Sequence, residues 1–329
     1  MIKRILKKVL LVFLAVLLLF AVLMSIPRIW SAMNPKKAPM GYYFEIPTMI
    51  ALVTGLESMI DRNPPMPENV LETKDIEYKN INGKSLQMDI YQPKGLAKPA
   101  PLLVFIHGGG WKSGKRSDYL VYLTHFAKLG YVTATVSYRL TDIAPYPACV
   151  EDIRDAVQFL YLNGEKYNYD PDRICLIGGS AGSHLAMLAG YGWKKKDAPA
   201  DSTISDKHKI KAVVEIYGPT DFTTEYARNH SLITGFLRHT YQEAPELFVE
   251  ASPIIYVSKN SPPTLILQGN RDMLVSWTQA ELLKHKLDSL GVPNVYCLVP
   301  GWPHAMDVDL RVNEYFKVTM ADFFEKYVR

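Results

Sequence analysis

Four cations, Lys3, Arg4, Lys7 and Lys8, precede eighteen residues from Val9 to Ile26 that carry no charge. As a helix rising 1.5 Å per residue, that run covers about 27 Å, close to a bilayer core of about 30 Å. It is longer than the apolar part of a cleaved signal, and neither Ile26-Pro27-Arg28 nor Ser31-Ala32 offers a good cleavage site. The pattern predicts an uncleaved signal anchor over residues 1–26, with secretion after cleavage as the alternative. By the positive-inside rule the rest of the chain then lies on the extracytoplasmic side, a bias that Arg28, Lys36 and Lys37 on the far flank weaken. Residues 27–72 read as a linker. Within them "PTMIALVTGLESMI" has the makings of a covering helix, with Pro47 suited to the first helical position.

From residue 73 to the end at 329 the pattern changes to alternating short apolar runs and helical spacings. "DIEYKN" and "SLQMDIYQP" read as strands joined by the turn "NING". Strand character returns in "PLLVFIHGG", "YVTATVSYRL", "RICLIGG", "IKAVVEIYG", "PTLILQGN" and "VYCLVPG". Between and after them, "SDYLVYLTHFAKLG", "CVEDIRDAVQFLYLNG", "AGSHLAMLAG", "WTQAELLKHKLDSLG" and "NEYFKVTMADFFEKYV" have the 3.6-residue period of helices. Near-continuous apolar strands separated by helices predict a mostly parallel sheet covered on both faces, an α/β fold. Residues 223–250 break the alternation and read as a lid-like insertion over the strand ends, with Tyr226, Phe236 and Tyr241 as candidate pocket residues.

Composition narrows this picture. Apolar residues at 48% and charged residues at 21% are ordinary for a globular chain and exclude a disordered or fibrous one. The net charge of +4 arises largely from the first eight residues, so no basic groove for nucleic acid is indicated. Cys149, Cys175 and Cys297 lack the paired spacing of a zinc or redox site. Cys175 and Cys297 lie in apolar runs and read as small buried hydrophobes. No metal or other cofactor is expected.

The candidate chemistry begins with "IGGSAG". Gly178, Ser180 and Gly182 form G-x-S-x-G at a strand-to-helix junction. A serine on so sharp a turn needs neighbours without a Cβ, and it stands where free helix N–H groups favour a developing anion. His107, Gly108, Gly109 and Gly110 end an earlier strand, where acyl transfer needs amide donors for an oxyanion. Asp272 and His304 each follow a later strand, and the order Ser180, Asp272, His304 is that of the α/β-hydrolase triad. Other residues compete. His184 lies one helical turn beyond Ser180; Asp221, Asp307 and Asp309 are rival acids whose default role is loop hydrogen bonding; Asp152 reads as support for Arg139 or a loop.

Through "IHGGGWKSG", "VSYRL", "YPACVEDIRDAVQFL", "DPDRICLIGGSAGSHLA", "YGPTDF", "SPIIYVSKNSPPTLILQGNRDMLV" and "VPGWPHAMD", residues 73–329 resemble the α/β-hydrolase serine esterases. The likeness is to the acetyl- and feruloyl-esterase-like branch related to the hormone-sensitive lipase group. The resemblance implies Ser180 as nucleophile, His304 as general base, Asp272 as its orienting acid, and an oxyanion hole of the Gly108, Gly109 and Ala181 amides. It implies hydrolysis of short-chain acyl esters, acetylated carbohydrates among them, without a cofactor. Amide or peptide cleavage by the same triad, and a silent binding module on the same fold, are the alternatives. Ser183-His184 after the elbow and Ala305 after the histidine depart from residues common in relatives, which bears on pocket shape.

Overall fold

The computed structural model of the chain describes residues 2–42, 44–193 and 210–329. Helix α1, Ile2–Met33, contains the expected span and continues beyond it. Ser31 and Asn34 extend it by bonding back to the Pro27 and Trp30 carbonyls at 2.7 and 2.9 Å. Apart from Met24 and Pro27, which are buried against the segment that follows, the apolar side chains of α1 face away from the rest of the chain, and this is one N-terminal helix long and apolar enough to cross a membrane. Helix α2, Glu45–Val53, is shorter than expected, and Pro47 is its third residue rather than its first. The reason it fits is the same: amides of the first turn have no intrahelical acceptor to lose.

An eight-stranded sheet follows, in the order β1-β2-β4-β3-β5-β6-β7-β8. Strand β1, Val70–Ile81, starts five residues before the expected Asp75 and turns through Asn82 and Gly83, both at positive φ, into β2, Lys84–Pro93. Strands β1 and β2 pair antiparallel, as do β2 and β4, Val132–Val136. All further pairs are parallel: β3, Ala100–Ile106; β5, Tyr169–Gly179; β6, Ala212–Ile216; β7, Thr264–Gly269; and β8, Asn294–Val299. Strand β4 stops short of the expected "SYRL" because the Arg139 amide leaves the ladder for the Asp152 carboxylate, at 2.9 Å.

Alternation with period two buries both faces of the central strands. Leu102, Val104 and Ile106 of β3 face one core with helix α4, Ala148–Leu162; Leu103 and Phe105 face the other with α3, Leu120–Lys128. Helix α5, Ala181–Gly190, packs on the first face. The insertion forms three short helices, α6, Glu225–Arg228, α7, Ser231–Leu237, and α8, Pro245–Glu250. Helix α9, Thr278–Ser289, closes a third cluster. The last helix, α10, Leu310–Tyr327, packs on the second face, capped by the Asp309 carboxylate bonding the Arg311 and Val312 amides at 2.9 and 3.2 Å. Cys175 is buried as expected; Cys297, on the edge strand β8, is only half-buried.

Because β3, β5, β6, β7 and β8 run parallel, their C-terminal ends share one edge of the sheet. Loops leaving that edge carry His107 to Gly110, Ser180, Asp272 and His304.

Candidate active site

Ser180 sits between β5 and α5 with φ 55° and ψ −123°, a conformation that L-residues adopt only when their surroundings impose it. Its amide donates to the Ile216 carbonyl at 2.9 Å. The flanking glycines are needed for close approach: a Cβ on Gly178 would lie 2.2 Å from the Gly182 carbonyl carbon, and one on Gly182 2.0 Å from the Ile106 oxygen. The hydroxyl is thereby turned out of the sheet edge.

His304 meets it there, with Nε2 3.0 Å from Ser180 Oγ and Nδ1 2.7 Å from Asp272 Oδ2. If the Asp272 carboxylate accepts the Nδ1 proton, Nε2 is left as an acceptor for the serine O–H. Asp272 is buried and held from four sides. Its Oδ1 accepts from the Leu274 and Val275 amides at 2.9 and 2.8 Å, and its Oδ2 accepts from Gln268 Nε2 at 3.2 Å besides His304. Tyr217 supports the imidazole with a tilted edge contact, centroids 4.7 Å apart. Ala305 takes the left-handed φ of 56°, a conformation that glycine adopts at lower cost.

The glycine loop is fixed from behind. Tyr138 stacks on His107 at 4.3 Å and donates to its carbonyl at 2.8 Å, while His107 Nδ1 bonds the Gly108 oxygen at 2.9 Å. Gly109 has φ 104°, open only to glycine without strain. Among the described residues the Gly108, Gly109 and Ala181 amides donate to no protein acceptor, and Ala181 opens α5. They are available to an anion beside Ser180.

The competing residues lie elsewhere. His184 Nε2 bonds the Ala251 carbonyl at 2.8 Å, its ring stacks on Phe222, and burial lowers its pKa to about 3. Asp221 orders its own turn through the Thr223 amide and hydroxyl at 2.8 and 2.6 Å. Asp307 accepts the Tyr217 hydroxyl at 2.5 Å, and burial raises its pKa. Asp152 grips Arg139 through both oxygens and Lys79 through one.

A cavity of about 20 Å³ opens beside Ser180, between Gly110, Trp111, Tyr226, Leu232 and Leu274. Of the three aromatic residues expected to line a pocket, only Tyr226 does so, and its hydroxyl also donates to the Leu274 carbonyl. Phe236 is buried behind Trp111, stacked at 4.3 Å, and Tyr241 packs on Phe248 and under Arg228. Leu232 and Leu274 were not legible as wall residues, since nothing local in "HSLITGF" or "DMLVS" distinguishes a pocket wall from packing.

Sequence reasoning also missed a clamp on the His304 loop. Trp302 Nε1 donates to the Pro39 carbonyl at 3.0 Å, and the Gly41 amide to that of Pro300 at 2.8 Å. Farther along, Ile60 N–H bonds the Val308 oxygen at 2.9 Å, Leu310 N–H bonds that of Ser58 at 2.8 Å, and Arg311 pairs with Glu57 at 2.5 Å. The same loop reaches the aspartate loop through Gly301 N–H to Asn270 Oδ1, 2.7 Å, and Arg271 N–H to the Trp302 oxygen, 3.0 Å.

Under the elbow, Glu215 of β6 is fully buried and accepts the Gly218 amide. Burial above all, with the Asp272 charge adding to it, pushes its pKa from 4.5 up to about 8. Between those values the folded chain holds a proton that the unfolded chain releases. The stabilising contribution is therefore complete below about pH 4.5 and is lost as pH rises toward 8. Glu215→Gln is expected to leave the melting temperature little changed near pH 4 and to raise stability at pH 8 by a few kcal/mol, as an order of magnitude. Melting curves of both proteins from pH 4 to 9 check this; equal stability at pH 8 would contradict it.

Residues 88–287, well over half of the chain, match the BD-FAE family. The chain belongs to the BD-FAE family. It is 31% identical over 260 residues to Esterase LipC of Mycobacterium tuberculosis, covering 75% of this chain and 64% of that protein. It is 32% identical over 247 residues to Esterase LipQ of the same organism, covering 72% and 58%. The match thus spans less than two thirds of the length of these relatives. Among solved structures, a truncated carbohydrate esterase from gut microbiota superposes with a TM-score of 0.64 at 26% identity, covering 78% of this chain and 95% of that one. This BD-FAE chain carries the α/β-hydrolase fold of that family; Ser180 lies within the matched residues, and His304 and the clamp lie outside them.

Proposed function

We propose that this protein is a serine carboxylesterase for short-chain acyl esters. The observation that carries the reading is the chain of contacts from Ser180 Oγ through His304 to Asp272, at 3.0 and 2.7 Å, beside three undonated amides. His304 takes the hydroxyl proton as Oγ attacks the ester carbonyl. The Gly108, Gly109 and Ala181 amides hold the resulting oxyanion. The oxyanion then collapses, the C–O bond to the alcohol breaks, and His304 protonates the departing alcohol. Water, deprotonated by His304, attacks the acyl-enzyme and frees the acid and the serine. An acyl-aryl ester panel with acetyl, butyryl and longer chains, together with labelling by an organophosphonate, tests the reading. No labelling of Ser180 would overturn it, and faster cleavage of formamide or dipeptide substrates would move it to amide chemistry.

The preference for short acyl groups rests on the cavity beside Ser180, whose roughly 20 Å³ is little more than one water-sized probe needs. Acetylated carbohydrates are the substrate class we favour, supported by likeness to the carbohydrate esterase. Leu232→Ala removes a cavity wall and is expected to raise kcat/KM for butyrate relative to acetate by about tenfold. Unchanged selectivity would show that the acyl group binds elsewhere.

The same reading takes α1 as a signal anchor with the catalytic body on the extracytoplasmic side, supported by its uncharged run and basic N-terminal flank. Protease added to intact cells should degrade the body; a protected body would contradict the topology.

A further inference from the structure

A second cavity, much larger than the one beside Ser180, lies away from it. It is an open groove of about 1080 Å³ between the last turns of α1, the residues that follow it, and the outer face of α10. Its wall on α10 is apolar in part. Tyr315, Val318 and Phe323 contribute to it, with Val295 of β8, and Val318 is 61% exposed. A long, partly apolar trough of this size exceeds what a small polar ion requires.

The rim is cationic. Arg28, Lys36, Lys37, Arg311 and Lys326 line the groove against two carboxylates, Glu314 and Asp322. Arg311 is committed to Glu57, and Glu314 to Lys317. Arg28, Lys36 and Lys37 have no ion pair among the described residues. These three follow the uncharged run of α1 by two to eleven residues, so on the anchor reading they stand at the level of the lipid headgroups.

We propose that this groove binds one anionic phospholipid of the leaflet on the catalytic side, its phosphate among Arg28, Lys36 and Lys37 and an acyl chain along Val318 and Phe323. Charge complementarity selects a negative headgroup, and the apolar wall selects a lipid over a soluble phosphate. The inference rests on reading α1 as a membrane anchor and is independent of the esterase reading.

The test uses the full chain in a non-ionic detergent, titrated with dioleoyl phosphatidylglycerol or dioleoyl phosphatidylcholine, with bound lipid counted by native mass spectrometry. One phosphatidylglycerol per chain is expected, bound at least about tenfold more tightly than phosphatidylcholine. Glycerol 3-phosphate at matched concentration should not displace it. The triple variant Arg28→Gln, Lys36→Gln, Lys37→Gln should lose the preference. Val318→Trp, which fills the groove from an exposed position and leaves every cation in place, should lower occupancy at least tenfold with ester turnover unchanged. Equal binding of the two lipids, displacement by glycerol 3-phosphate, or full occupancy in Val318→Trp would each overturn the proposal, the last by reducing it to surface attraction. Alkaline carbonate extraction of native membranes tests the anchor separately: release of the chain would remove that reading while the lipid titration still reports on the groove.

Discussion

Ser180→Ala is expected to reduce turnover of an aryl acetate by about 10⁵- to 10⁶-fold, leaving only the residual rate that oxyanion binding supplies. Among the described residues, Ser180 Oγ is the one hydroxyl or thiol bonded to His304 Nε2, so on the proposed reading no second nucleophile stands in for it. The fold should survive, because alanine keeps the Cβ and the main chain at φ 55° is held by the Ile216 hydrogen bond and the surrounding glycines. The lost hydroxyl–imidazole contact costs about 1 kcal/mol. Kinetics at high enzyme concentration, with circular dichroism and melting as controls, measure both effects. Residual activity above about one part in a hundred would refute Ser180 as the nucleophile.

The next largest effect is expected far from the serine in sequence. Gly41→Ala puts a Cβ 2.7 Å from the Gly301 carbonyl and 2.8 Å from the Trp302 ring, and the loop that must yield carries His304 two residues later. A shift of the imidazole by even 1 Å loosens its 3.0 Å contact with Ser180, and misplacement of that size typically costs about 100-fold in rate. We expect kcat to fall by 10- to 100-fold, as an order of magnitude, with KM close to that of the parent chain. The acyl cavity is lined by other residues and should be untouched. Trp302→Phe, which keeps the ring but removes the bond to the Pro39 carbonyl, should show a smaller loss of the same kind. A parent-like kcat in Gly41→Ala would show that the segment only packs against the body.

What the sequence made legible was what neighbouring residues determine. The elbow is a local event: Gly178, Ser180 and Gly182 announce it because the turn itself excludes side chains. The central strands announce themselves because both faces are buried, as Leu102 to Ile106 demonstrate. The end of β4 was misplaced because its ladder loses to a side chain, Asp152, that lies 13 residues away in the chain. The clamp was illegible for a stronger reason. Pro39 and Trp302 are 263 positions apart, and residues 27–72 carry only the composition of a linker. Likewise Phe236 and Tyr241 have the residue type of pocket walls, but Trp111 and Phe248 claim their faces.

Arg311 bonds Ser31 Oγ at 2.9 Å and the Pro27 carbonyl at 3.5 Å, while Tyr42 bonds the Met24 carbonyl at 3.0 Å. With α1 seated in a bilayer, the body is thus bolted to its post rather than tethered on a leash. Its mouth would stand at a set height and tilt above the lipid, working a thin layer of esters at that distance instead of sweeping a volume around its attachment point.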